Sequence, residues 1–76
     1  VKFTFKEQRE FEQIDDVIAK LEDDIAQCEK DIVANATDFV KLKELSDKKE
    51  KLSEELEYQM DRWVYLNDIA EQMENN

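Results

Sequence analysis

The residues in this sequence best suited to chemistry are its clustered cations. Lys41, Lys43, Lys48, Lys49 and Lys51 are five of the eleven Lys and Arg residues, gathered in one short stretch. Ammonium groups at that density can neutralise phosphates, which is the chemistry of nucleic-acid contact. Lys41, Lys48 and Lys51 recur at seven- and three-residue spacing, so on a helix they share a stripe, while Lys49 points elsewhere. Lys6 and Arg9 form a second, smaller basic group. The candidate nucleic-acid contacts are therefore Lys41, Lys43, Lys48 and Lys51, together with Lys6 and Arg9. The competing reading of the lysines is a solvated helix surface paired with Glu44, Asp47 and Glu50.

Other chemistries lack their residues. The chain has no His, which excludes a nucleophile–His–acid triad and His-based metal sites. Its one cysteine, Cys28, has no second cysteine beside which to hold a metal or cycle a disulfide. Asp15-Asp16 and Asp23-Asp24 are acidic pairs, but neighbours one apart on a helix diverge, and no Gly-containing calcium loop surrounds them. Without any Gly there is no phosphate-binding loop either. No catalytic residue, metal ligand or cofactor contact is expected, and the chain reads as non-enzymatic. Tyr58 and Tyr65, with Met60 and Ile69 nearby, either shield a hydrophobic seam or form a docking surface.

The elements that position these residues follow from periodicity. Gly and Pro are both absent, charged residues make up 42%, and aliphatic heptads run through them, which is the composition of a long helix or coiled coil. Thr4-Phe5-Lys6-Glu7 has the form of a capping box. Phe11, Ile14, Ile18, Leu21, Ile25, Cys28 and Ile32 then follow in 3-4 alternation and define one seam. Asn35 breaks the pattern, and its tolerance of a left-handed backbone suits it to end a helix where Gly usually sits. Thr37 and Asp38 are both competent N-caps for a second helix. Its seam reads Leu42, Leu45, Lys49, Leu52, Leu56, Gln59, Trp63, Leu66, Ala70 and Met73.

The reading is an all-α fold: a two-helix antiparallel coiled-coil hairpin forming one domain over residues 1–76. The first helix spans about 5–33, the turn 34–37 and the second helix about 38–73, a short connection of the kind that joins antiparallel neighbours. The expected core is Phe11, Ile14, Ile18, Leu21, Ile25, Cys28, Ile32, Leu45, Leu52, Leu56, Trp63 and Leu66. One alignment sets Phe11 opposite Leu66 and Ile14 opposite Trp63. The alternative slips one helix by a heptad and leaves Trp63 opposite Glu7. Burial of large side chains favours the first.

Net charge is −10, and it is uneven. Residues 11–36 and 53–76 are strongly acidic, while 1–10 and 37–52 are slightly basic. A uniformly basic nucleic-acid binder is therefore excluded, and any phosphate contact must be made end-on. No apolar run reaches membrane-spanning length and no secretory segment is present, so no membrane partner is expected. A single unpaired cysteine fits a reducing compartment, and the chain reads as cytoplasmic. It begins at Val1 rather than Met, as expected of a fragment of a larger protein.

Two stretches carry a family resemblance. Phe3-Thr4-Phe5-Lys6-Glu7-Gln8-Arg9-Glu10-Phe11-Glu12 opens the chain. Glu55-Leu56-Glu57 precedes Met60-Asp61-Arg62-Trp63-Val64-Tyr65-Leu66 near its end. At this separation, with heptads between, the sequence resembles the C-terminal coiled-coil domain of F-type ABC (ABC-F) ATPases. The resemblance covers nearly the whole chain, and its terminal motifs are more specific than its heptads. It implies upstream ATP-binding cassettes that hydrolyse ATP and serve as partners, in proteins that act on ribosomes. In some members this hairpin binds DNA. Many such tails are basic, whereas this one is acidic.

Two functions stay open from sequence. One is an accessory module of an ABC-F ATPase contacting ribosomal RNA or DNA through one end. The other is a protein-docking or dimerisation coiled coil without nucleic-acid binding, its partner the cassettes or a weakly held second copy.

Overall fold

The computed structural model describes residues 1–75. They form two helices, α1 over Phe5–Ala34 and α2 over Phe39–Glu74. The helices fold back on each other into a rod of 57 × 15 × 14 Å. α1 starts where its capping box dictates. The Glu7 N–H donates to the Thr4 hydroxyl at 3.1 Å, and the Thr4 N–H donates to the Glu7 carboxylate at 3.0 Å. Two of the four N–H groups that a helix start leaves without partners are satisfied in this way. Of the two cap candidates for α2, Asp38 is the one used, its carboxylate accepting from the Lys41 N–H at 3.0 Å.

The turn differs from the sequence expectation in one respect. Asn35 ends α1, but with φ −114° and ψ 28°, and no described residue has positive φ. Its side chain does the capping instead. The Asn35 amide donates to the Asp31 carbonyl at 2.8 Å, and its backbone N–H reaches the Asp31 and Ile32 carbonyls. Asp38 N–H then donates to the Asn35 carbonyl at 3.0 Å, closing the connection without glycine.

The core is a thin line. Ile14, Leu21, Cys28, Leu45 and Leu66 are buried, and Ile14, Cys28 and Leu66 almost completely so. Phe11, Ile18, Ile25, Ile32, Leu52 and Leu56 are half-buried, as two cylinders in contact require. Lys49 and Gln59 are half-buried too, so the lysine packs its stem at the seam while its ammonium reaches water.

Trp63 does not belong to this core: it is 42% exposed. A straight helix of 3.6 residues per turn drifts from a strict 3-4 repeat. Between the inward positions Gln59 and Leu66, the seam therefore passes between Arg62 and Trp63. Arg62 lies on one flank and is half-buried; Trp63 lies on the other. The alignment also falls between the two considered. Cross-helix bonds set Glu7 beside Tyr65, Glu10 beside Arg62 and Cys28 beside Leu45, while the long indole of Trp63 reaches further along α1 to Asp15.

Substitutions should separate core from flank. Leu66, with 0% exposure, should lose about 2–5 kcal/mol of stability on Leu66→Ala, because the cavity cannot collapse. Trp63→Ala should lose less, since water replaces the ring. Urea denaturation midpoints would check the ranking, and a larger loss for Trp63→Ala would return the indole to the core.

Candidate functional site: a cationic tip and a clamped open end

The tip of the hairpin is built from the last turn of α1 and the first turns of α2. Asp38 starts α2 there, and the stripe of Lys41, Lys48 and Lys51 follows within about 20 Å along the axis. All three are exposed, and none has a carboxylate partner among the described ion pairs. Lys43 differs: its ammonium donates to Asp47 at 2.9 Å, and that bond raises its pKa. The first turn of α2 holds no acidic residue in Phe39–Leu42 but does hold Lys41. Positive charge at a helix N-terminus opposes the macrodipole, so helix stability does not explain this lysine. Phe39 and Val40, 84% and 72% exposed, crown the same tip.

Lys6 and Arg9 sit at the opposite end, about 40 Å away along α1. Both are exposed, and the Arg9 guanidinium lies 5.9 Å from the centre of the Phe5 ring. The six basic candidates therefore form two separate groups, with the acidic shaft between them.

The open end, where the termini lie, is held by polar bonds that sequence reasoning missed. Arg62 grips Glu10 with two parallel bonds of 2.7 Å, from Nε and Nη2. Its guanidinium also sits 4.7 Å from the centre of the Tyr65 ring. The Tyr65 hydroxyl donates to Glu7 at 2.9 Å, so Glu7 caps α1 and ties it to α2 at once. On the other flank, the Trp63 indole N–H donates to Asp15 at 2.9 Å. The Arg62 bond holds the Glu10 carboxyl below the usual glutamate range and raises the Arg62 pKa. Glu7 is lowered by the Thr4 backbone N–H and by Tyr65, and Tyr65 is raised by Glu7. One signal was available: Arg62 is the sole cation in residues 53–76.

Cys28 is buried, and its thiol donates to the Leu45 carbonyl at 3.2 Å. Among the described residues no group of three or more His, Cys, Asp or Glu is arranged to hold a metal ion. No described helix is long and apolar enough to cross a membrane.

Comparison with known proteins adds a family. The family model described as ABC transporter C-terminal domain matches residues 2–68, a span that includes every residue of the clamp. An uncharacterized ABC transporter ATP-binding protein of Bacillus subtilis (strain 168), YfmR, is 43% identical over 74 residues. That alignment covers 97% of this chain and 12% of the relative, so the chain spans a small part of the relative's length. No solved structure matches.

The clamp predicts a pH signature. The Glu10 pKa is lowered in the folded state. Its stabilisation is therefore fully present above the unfolded glutamate pKa and is lost as pH falls through the lower, folded value. Glu10→Gln should be less stable than wild type at neutral pH, and the gap should close in acid below the carboxylate range. Thermal midpoints of both proteins across that range would check this. A gap independent of pH would show that the ion pair is not its source.

Proposed function

We infer the function from one premise: the chain belongs to the ABC transporter C-terminal domain family, whose model matches residues 2–68. It is the C-terminal domain of an ATP-binding cassette protein. Within that protein it serves as a non-catalytic accessory arm, and ATP hydrolysis belongs to the cassettes. The parent is of the F type, which the terminal motifs around Lys6–Arg9 and Arg62–Tyr65 resemble. A cytoplasmic setting fits the free thiol of Cys28.

The arm reaches a nucleic acid, ribosomal RNA or DNA, with its tip. The observation that supports this reading is the exposed, unpaired stripe of Lys41, Lys48 and Lys51 at one end of a 57 Å rod. Lys41 stands in the first turn of a helix whose dipole it opposes, which favours a role outside the fold. The acidic shaft repels phosphates along its sides, so the contact is end-on and engages few of them. Affinity then comes mainly from the cassettes, with the tip adding effective concentration once they are docked. The second reading, protein docking, is supported by the exposure of Trp63, Val64 and Tyr65 near the open end.

Titration of labelled RNA and duplex DNA at low and raised salt tests the tip. Wild type should bind weakly, with affinity falling as salt rises. A Lys41→Gln/Lys48→Gln/Lys51→Gln variant should lose up to about 2.7 in the log–log salt slope on DNA, about 0.9 per phosphate. If wild type binds neither nucleic acid, or the variant binds equally, the tip reading fails and protein docking stands.

A further inference from the structure

The flank that carries Trp63 opens onto a groove between the helices. Its volume is about 320 Å³, and it is lined by Asp15, Ile18, Met60, Trp63 and Val64. The floor is apolar and accessible: Met60 is 52% exposed, Trp63 42% and Val64 62%. The indole N–H is already bonded to Asp15, so what the groove offers a visitor is ring face and side-chain carbon. An exposed Trp beside an adaptable Met has the composition of an interface anchor.

The charges around this floor have one sign. Glu12, Glu22, Glu57, Asp61 and Asp68 each lie three or four residues from a lining residue, the spacing at which helix side chains are neighbours. All five are exposed, and Asp15 adds a carboxylate in the groove itself. No Lys or Arg stands at that spacing from any lining residue. Arg62, the nearest by number, is turned to the other flank by Glu10 and Tyr65.

We propose that this groove is a docking site for a basic amphipathic helix of a protein partner. Such a helix lies along the rod as a third helix. Its branched apolar side chains press on Trp63, Met60 and Val64, and its lysines and arginines meet the carboxylate rim. A second copy of this chain is the wrong occupant: each copy carries −10, and pairing two such grooves sets like-charged rims against each other. Met60 lies about 14 Å along α2 from Lys51, the nearest lysine of the tip stripe, and about 29 Å from Lys41. None of those lysines lines the groove, so the site does not rest on the nucleic-acid reading and stands or falls by itself.

Trp63 is the one tryptophan of the chain, so its emission reports on the groove directly. The probe is a tryptophan-free, three-heptad helical peptide with Leu on one face and Lys and Arg elsewhere. Titrated into the chain, it should give a saturable blue shift. A peptide of the same composition with no apolar face should bind at least about tenfold more weakly, and one with Glu in place of every cation should not bind. The Met60→Ala/Val64→Ala variant keeps its helix, since Ala is the best helix former. It should bind the probe about tenfold more weakly or worse, with an unchanged melting temperature. The proposal is overturned by no shift, by equal binding of the reordered or acidic peptide, or by unaltered binding to the variant. A blue shift that grows with protein concentration alone would assign the groove to a second copy and overturn it equally.

Discussion

Two helices packed side by side touch along one line. That geometric constraint governs this chain. Only residues pointing straight at the partner helix are buried, and here those are Ile14, Leu21, Cys28, Leu45 and Leu66. A core of this width needs help. Helix-terminal caps supply some, and half-buried neighbours such as Ile18 and Leu56 supply more.

Polar bonds also join the helices at the open end, where the termini lie. Arg62 and Glu10 meet in the two-pronged geometry that suits a guanidinium and a carboxylate, with both side chains mostly shielded: 29% and 27% of their surfaces remain exposed. Glu7 joins the N-terminal cap of α1 to Tyr65 of α2. The tip has no such clamp. It is closed by Asn35 and Asp38, and it leaves Phe39, Val40 and the lysine stripe to the solvent. One end of the rod is fastened and the other is left chemically available, which is the arrangement expected of an arm.

Much of this was legible in the sequence. The capping box from Thr4 to Glu7, the Asp38 cap and the heptads each act locally, so residue type and spacing reveal them. Cys28 was readable as a small apolar residue from its place in the seam. Trp63 was misread because a 3-4 pattern treats the seam as straight, whereas the real helical repeat lets it slide between Arg62 and Trp63. The clamp left one hint in the sequence, Arg62 as the sole cation in residues 53–76, but not its partners. It depends on the alignment between helices, and heptad patterns permit several alignments one slip apart. Lys6 and Arg9 read as a basic group separate from the lysines, with acidic sequence between, and the length of α1 turns that separation into distance.

Clamp, groove and tip are kept apart because the chain folds back on itself, with the two basic groups at opposite ends of a short rod. Small-angle X-ray scattering at several concentrations tests that directly. A hairpin predicts a longest dimension near 57 Å and a radius of gyration near the 16.8 Å of its backbone, both independent of concentration. A single unbroken helix through residues 5–74 would instead extend about 105 Å. Scattering from a particle of that length, or dimensions that grow with concentration, would contradict the hairpin and with it the separation of clamp, groove and tip.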